Sequence, residues 1–289
     1  MKTSHTMLPV TKEPAPEAVR VNLGCGRRRS PGWLNFDLFR APDVIYHDLR
    51  QRLPLADSTV DVVYHSHVLE HFSRREGLSF LRECYRILKK GGVIRVVVPD
   101  LEGIVRAYLS EVDRLRLSSS HASATHSWLV IELYDQVVRS HSGGDMAEAF
   151  RTTDPVLRDF IIARLGTEAR AVIDSQSGPP TAPNKHSISF GTRQIKSLLT
   201  RLRFRLASWF IGLPTRVLYE ASFRETGENH RWMYDEFSLR AALASAGFSH
   251  ASRVRADESG VEGWTSFLLD TEPNGSVYKP DSLFIEAYK

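Results

Sequence analysis

The chain has 289 residues, of which 42% are hydrophobic and 25% are charged, and its formal net charge is +4 with neutral histidines. This composition is close to that of average folded domains, and it excludes disordered, collagen-like and disulfide-scaffold proteins. Two cysteines cannot build a disulfide framework, so they favour a reducing compartment, and the mild basic charge allows a nucleic-acid partner without requiring one.

Residues 1–18 mix charged residues with prolines and have no apolar core of the signal-peptide type. We interpret them as a flexible N-terminal tail. No apolar run in the sequence approaches the ~20 residues that span a bilayer. These observations predict a cytoplasmic protein.

Apolar segments of strand type alternate with a helix over the first hundred residues. Four predicted strands come first, at 19–23, 34–38, 44–46 and 60–64. A helix is predicted over 77–90, since its apolar residues have helical spacing and Gly91-Gly92 follow two lysines in its last turn. A fifth strand is predicted over 93–98. This alternation predicts a parallel sheet with helices on its faces.

The same pattern returns near the end of the chain, where a helix is predicted over 235–247 and strands over 249–255 and 282–288. The region between the two halves is helix-like, rich in Ser, Arg and His, and interrupted at 177–180. The length fits two domains or one domain with an insertion, and the split pattern favours the second. The predicted units are a tail at 1–18, an α/β core at 19–100 and 230–289, and a mainly helical insertion at 101–229, interpreted as a substrate lid.

The turn Gly24-Cys25-Gly26 directly follows the first predicted strand, and such a turn lets a ligand approach the backbone closely. It is not a dinucleotide-binding fingerprint, because Arg29 stands where the last glycine of that motif would fall. Asp37 closes the second strand, where a carboxylate is placed to accept both hydroxyls of a ribose. Asp48-Leu49 follows the third strand.

This ordered set resembles the class I S-adenosylmethionine-dependent methyltransferases. The matching segments are Val-Asn-Leu-Gly-Cys-Gly at 21–26, Asp37, Asp48-Leu49, Leu-Pro-Leu-Ala-Asp at 53–57, Val-Leu-Glu-His at 68–71 and Leu-Lys-Lys-Gly-Gly at 88–92. Segments that resemble a bacterial subgroup associated with polysaccharide and cell-surface glycan pathways lie at 32–35, 66–71, 98–102 and 227–235. The resemblance implies a Rossmann-like, doubly wound, mostly parallel sheet of seven strands, with a helical insertion after strand five.

The resemblance also implies S-adenosylmethionine as cofactor, with S-adenosylhomocysteine as its product. Asp37 is then the ribose ligand, Asp48-Leu49 flank the adenine, and Ser66-His67 line the methyl-donor end. The implied cofactor-binding residues are Asn22, Gly24, Cys25, Gly26, Asp37, Leu38, Asp48, Leu49, Ser66 and His67. A structural alternative is that Asp37 and Asp48 serve only as turn residues at strand ends.

Methyl transfer to a hydroxyl requires in-line alignment and a proton acceptor with a pKa near neutrality, which makes histidine the first candidate. The candidate catalytic residues are His67, His230, His141 and Asp100; Asp100 and Glu102, after the fifth strand, are alternatives to the histidines as bases or hydroxyl binders. His71, beyond His67, is interpreted as a capping or packing residue. Neither metal-ligand spacing nor a Cys-x-x-Cys pair is present, so no metal is predicted.

Residues 193–213 combine helical apolar spacing with five cations. Two interpretations remain open, a helix on an anionic membrane surface or against a partner, and a lid helix on the core with a solvated basic face. No nucleic-acid partner is expected. The predicted function is O-methylation of a sugar hydroxyl in a glycan or glycan precursor; the alternatives are methylation of another small metabolite and a non-catalytic binding protein that keeps the fold.

Overall fold

The computed structural model describes residues 18–118, 123–177 and 202–289. Its strands are β1 Arg20–Leu23, β2 Trp33–Asp37, β3 Val44–Tyr46, β4 Val60–Ser66, β5 Leu88–Pro99, β6 Ser249–Arg253 and β7 Ser282–Tyr288. They form one sheet in the order β3-β2-β1-β4-β5-β7-β6. The predicted tail, except Ala18, residues 178–180 of the predicted break and residues 193–201 of the predicted basic helix lie outside the described residues.

The sheet is mixed. Strands β1 to β5 pair in parallel, whereas β7 runs antiparallel to both of its neighbours, β5 and β6. The prediction of an α/β, Rossmann-like fold with seven strands is confirmed, with the antiparallel β7 as an addition to it. Chain order reverses between β1 and β4, and ligands of open α/β sheets bind at the carboxyl ends of the strands beside such a reversal.

Helices flank the sheet and make up most of the described residues between β5 and β6. They are α1 Arg74–Ile87, α2 Leu101–Ser118, α3 Ala124–Val138, α4 Gly144–Ala149, α5 Pro155–Leu165, α6 Thr167–Ser177, α7 202–211, α8 Thr215–Arg224 and α9 Glu236–Ala246. No helix within the described ranges is long and apolar enough to cross a membrane.

Helix α1 corrects the predicted helix over 77–90. It begins earlier, because Ser73 and Glu76 form a capping box that satisfies the first backbone N–H groups. It also ends earlier, at Ile87, since Leu88 takes an extended conformation and pairs with Val60 of β4. The two lysines and the Gly-Gly pair therefore belong to the start of β5, where Lys89 Nζ lies 2.8 Å from Asp61 Oδ2.

The core lies on both faces of the sheet. One face packs against α1 and α9 through buried residues such as Val63, Leu81 and Leu243. The other face packs Trp33 and Tyr64 against Trp264. A separate cluster joins α3, α5 and α6. The division of the chain into core, insertion and lid stays a prediction.

Arg95 is the one charged residue in the buried part of β5, from Val93 to Pro99. It is fully buried, and its guanidinium contacts the carboxylates of Asp270 at 2.6 Å and Glu286 at 2.8 Å. Asp270 also accepts a hydrogen bond of 2.6 Å from Tyr64. This network ties the segment before β7 to the middle of the sheet.

Candidate functional site

A cavity of about 290 Å³ opens at the carboxyl ends of β1 to β4. The predicted cofactor-binding residues that line it are Gly24, Asp37, Leu38, Asp48, Leu49 and His67. They follow or end four different strands, which are parallel and therefore end at the same edge of the sheet. Chain segments 71–76 and 225–231 supply further walls.

Gly24 shapes the floor of this cavity. It has a φ of +67°, and a Cβ at this position would lie 2.3 Å from Val68 Cγ2. The backbone N–H groups of Gly24 and Cys25 both donate to the carbonyl of Phe36 in β2, at 2.8 and 3.1 Å. Only glycine combines this conformation with such a close approach.

Asp37 lies at the end of β2 with its carboxylate at the turn. One oxygen accepts from the Gly26 N–H at 2.8 Å, and the other accepts from the Phe39 N–H at 3.2 Å. A carboxylate has about four acceptor sites, so each oxygen keeps capacity for a further donor. The turn-residue and ribose-ligand interpretations of Asp37 are therefore compatible.

Asp48 forms a bidentate ion pair with Arg50, with contacts between 2.9 and 3.2 Å. This pairing holds the pKa of the Asp48 carboxyl below its usual range. Both side chains, with Leu49 between them, line the cavity. Sequence reasoning found Asp48-Leu49 but not Arg50.

Four predicted cofactor-binding residues are not part of the cavity lining: Asn22, Cys25, Gly26 and Ser66. Asn22 is buried and donates to the Arg28 carbonyl at 3.0 Å and to Asn35 Oδ1 at 3.1 Å, so its amide fixes the loop after β1. Burial, and then Asp37, raise the pKa of the Cys25 thiol to about 11, which keeps it protonated. Their direct contact with a cofactor stays a prediction.

His67 is the predicted catalytic residue that lines the cavity. Its φ is +54°, a conformation that non-glycine residues rarely adopt and that concentrates at functional sites. Its backbone N–H donates to the Val97 carbonyl at 2.9 Å, and Nε2 lies 2.8 Å from Ser282 Oγ. Burial lowers the pKa of His67 well below its usual value, so the ring is neutral.

His230 lies next to the cavity and not in its lining. It is buried, and its ring centroid is 4.9 Å from that of His71, which lines the cavity. Glu70 completes a cluster with these two histidines. Burial raises the pKa of Glu70 to about 8. Two chain segments far apart in sequence meet here, because the Glu70 carbonyl accepts from the backbone of Arg231 at 2.7 Å.

Asp100 and His141, the other two predicted catalytic residues, are absent from the cavity lining. Asp100 is buried beyond the end of β5 and accepts from Arg253 at 2.9 Å. His141 is exposed in the loop between α3 and α4. That loop is fixed by Glu228, which accepts from the Gly143 N–H at 2.8 Å.

Residues 21–96 match a family model described as a methyltransferase domain. The matched segment runs from β1 into β5 and contains all of the cavity residues between Gly24 and Glu76. The match supports a class I S-adenosylmethionine-dependent methyltransferase. The helical region after β5 and the last two strands lie outside the match.

The chain is also similar to a curated protein of Mycolicibacterium smegmatis named "Probable S-adenosylmethionine-dependent methyltransferase", with 41% identity over 56 residues. This similarity covers 19% of the chain and 21% of that relative, so the match spans about a fifth of the relative's length. The family match and this relative support S-adenosylmethionine as the cofactor.

Two solved structures are similar over 94% of the chain. One is a SAM-dependent methyltransferase from Archaeoglobus fulgidus, with 13% identity, 86% of that chain covered and a TM-score of 0.37. The other is PigF with SAH, with 11% identity, 50% of that chain covered and a TM-score of 0.35.

Proposed function

We propose that the protein transfers a methyl group from S-adenosylmethionine to a sugar hydroxyl in a glycan or glycan precursor. One observation supports methyl transfer most directly. Four residues from four strand ends line the same cavity: Gly24, Asp37, Asp48 and His67. The family match over 21–96 supports it. The sugar acceptor is supported by the resemblance of the segments at 66–71 and 227–235 to the polysaccharide-associated subgroup.

The cofactor supplies an electrophilic methyl group, so the protein's task is alignment and proton removal. As the carbon–oxygen bond forms and the carbon–sulfur bond breaks, sulfur keeps the electron pair and the acceptor hydroxyl loses its proton. His67 is the candidate acceptor of that proton, since it lines the cavity and its ring is held by Ser282. Burial makes it a weaker base than a free imidazole. Asp37 contributes binding through the two oxygens at the turn.

Calorimetry with S-adenosylmethionine tests cofactor binding. Wild type should bind, and Asp37→Ala should weaken binding at least about 10-fold, because hydrogen bonds to a charged group are worth about 1.5–3 kcal/mol. Asp57→Ala is the matched control, since this exposed carboxylate pairs with Arg86 and lies outside the cavity. Absence of binding by wild type at about millimolar cofactor would reject methyl transfer.

A mass-spectrometric search of candidate glycans tests the acceptor. The expected product gains the mass of one methyl group in place of one hydrogen, on a sugar oxygen. His67→Gln should lower the turnover number by a larger factor than it weakens cofactor binding, because the side chain lines the cavity and is also the candidate proton acceptor. A methylated metabolite without a sugar would keep methyl transfer and reject the glycan acceptor. Cofactor binding without any methylated product would favour a non-catalytic protein.

A second proposal concerns α7 as a peripheral contact with an anionic membrane surface. Its end exposes Trp209, Phe210 and Ile211, with 80%, 85% and 62% of their surfaces accessible. Exposed cations, Arg203 and Arg205, lie on the same helix. Aromatic and aliphatic side chains beside cations are typical of helices that lie in a lipid interface.

Co-sedimentation with vesicles tests this contact. Wild type should pellet with vesicles that contain anionic lipid and not with zwitterionic ones, and the double variant W209S/F210S should stay in solution. Phe237→Ser, at an exposed position of α9, is the control and should behave as wild type. Equal behaviour of wild type and W209S/F210S, or a dimer in solution that only this variant abolishes, would reject the membrane contact.

A further inference from the structure

Glu70, His71 and His230 form a cluster beside the cavity, and none of the three is among the predicted cofactor-binding residues. One ligand atom from each of the three side chains lies within 4.8 Å of the other two. Two imidazoles and one carboxylate are donors that divalent transition metals prefer. We propose that these three residues bind a divalent metal ion of the zinc type.

The spacing of the three donors suits such an ion. A point equidistant from three atoms at that maximum separation lies about 2.8 Å from each, whereas zinc ligands lie at about 2.0–2.2 Å. A shift of about 0.7 Å per ligand therefore closes the site, which side-chain rotation supplies without a change of backbone.

His71 is already oriented as a ligand. Its Nδ1 lies 3.3 Å from the Asn229 carbonyl, and a carbonyl can only accept, so Nδ1 carries the proton. The lone pair of the neutral ring is then on Nε2. Metal-binding histidines commonly donate their second N–H to a backbone carbonyl in this way. Asn229 is itself fixed, because its side chain donates to the Arg139 carbonyl at 2.9 Å.

The environment of the Glu70 carboxylate also favours a bound cation, independently of the spacing of the three donors. Glu70 is 0% exposed, and neither of its oxygens has a hydrogen-bond partner in the described part of the chain. The ring of His67, which is neutral, lies with its Nδ1 3.6 Å from Glu70 Oε1, beyond hydrogen-bond distance. Lys279 is not free to compensate it, since its ammonium lies 2.9 Å from Glu168. A buried carboxylate without partners is costly, and a bound cation removes that cost.

The position suggests a use for the ion. His67 and His71 both line the cavity, so the ion lies at the cavity wall. Three protein ligands leave at least one coordination position open, and a hydroxyl bound there loses its proton more easily. This role in positioning the acceptor rests on the proposed function, whereas metal binding does not.

Calorimetry with Zn²⁺, on full-length protein first treated with a chelator, tests the site. Wild type should bind one equivalent, and Glu70→Gln and His230→Gln should each lose at least about 100-fold in affinity, since loss of an outer-shell partner alone costs about 10–100-fold. His250→Gln, at an exposed position of β6, is the control and should bind as wild type. Less than one equivalent in wild type, or equal affinity in all variants, would overturn the proposal.

Thermal unfolding separates lost binding from lost folding. Zn²⁺ should raise the Tm of wild type and of His250→Gln but not of Glu70→Gln, because only the native state holds the three donors together. If Glu70→Gln does not fold, His71→Gln takes its place, and an unchanged zinc-dependent Tm shift in that variant overturns the site. Calorimetry with S-adenosylmethionine on the same samples distinguishes the two proposals, because zinc binding without cofactor binding rejects the methyltransferase only.

Discussion

His65 in β4 provides a sharp test of how the buried sheet responds to acid. The side chain is 0% exposed, its ring lies 5.1 Å from Phe80, and both ring nitrogens are without hydrogen-bond partners within the described ranges. Burial lowers the pKa of His65 from 6.5 to about 3. The folded protein therefore keeps this imidazole neutral where the unfolded chain protonates it.

Proton linkage determines the direction and size of the change in the free energy of unfolding with pH. Because the folded pKa is depressed, burial of neutral His65 does not reduce the free energy of unfolding above the unfolded pKa of 6.5. As pH falls from there towards the folded pKa of about 3, the unfolded chain gains a proton that the folded protein does not, and the free energy of unfolding decreases. Between about pH 7.5 and about pH 5, only the unfolded state takes up this proton. At 1.36 kcal/mol per pH unit below the unfolded pKa, the loss is about 2 kcal/mol.

Urea denaturation at these two pH values measures the loss. Between these pH values the free energy of unfolding should decrease in both proteins, and the decrease should be about 2 kcal/mol smaller in His65→Leu than in wild type. Leucine takes up no proton in either state. His250→Gln removes an exposed histidine and should keep the wild-type pH dependence. The same loss in His65→Leu as in wild type would refute the reasoning, since other groups would then carry the acid sensitivity.

Two further substitutions test the turn and the buried network. Gly24→Ala should destabilise the fold by more than the left-handed strain of about 1–2 kcal/mol, and it should weaken cofactor binding. Gly32→Ala, which has a positive φ but open space around it, should show the strain alone. Urea denaturation and calorimetry compare the two variants, and equal effects would reject the close approach of Gly24 to Val68. Asp270→Ala should cost about 3–5 kcal/mol in urea denaturation, because it leaves Arg95 buried with one carboxylate fewer. Asp257→Ala, which removes an exposed carboxylate, should cost much less, and equal costs would reject the network.

The strands were predictable because their apolar runs are local signals. Predicted and observed bounds of β1, β3 and β7 differ by at most a residue at either end. The end of α1 was not predictable, since lysines before Gly91-Gly92 are a strong local stop signal for a helix. Pairing of Leu88 with Val60 depends on β4, a long-range contact that overrides this signal.

The candidate site also contains residues that local sequence signals predict and residues that only the folded chain brings together. Gly24, Asp37 and Asp48 were found because each ends or follows a strand, and parallel strands bring such positions to one edge. Arg50 was missed, although its spacing from Asp48 was visible. The metal-type cluster had no local signal, because Glu70 and His230 are distant in sequence and only the folded chain joins them.

The segment around His230 connects the cavity with the helices after β5. Backbone N–H groups of Arg231 and Trp232 both donate to the Glu70 carbonyl, at 2.7 and 3.2 Å, which fixes the segment against the turn after β4. On its other side, the His230 N–H donates to Gln136 of α3 at 2.9 Å. Arg231 reaches the cavity wall itself. The Gly-Glu-Asn-His-Arg-Trp run from 227 to 232 is therefore held by backbone hydrogen bonds to α3 on one side and to the turn after β4 on the other, and it forms part of the cavity wall between them.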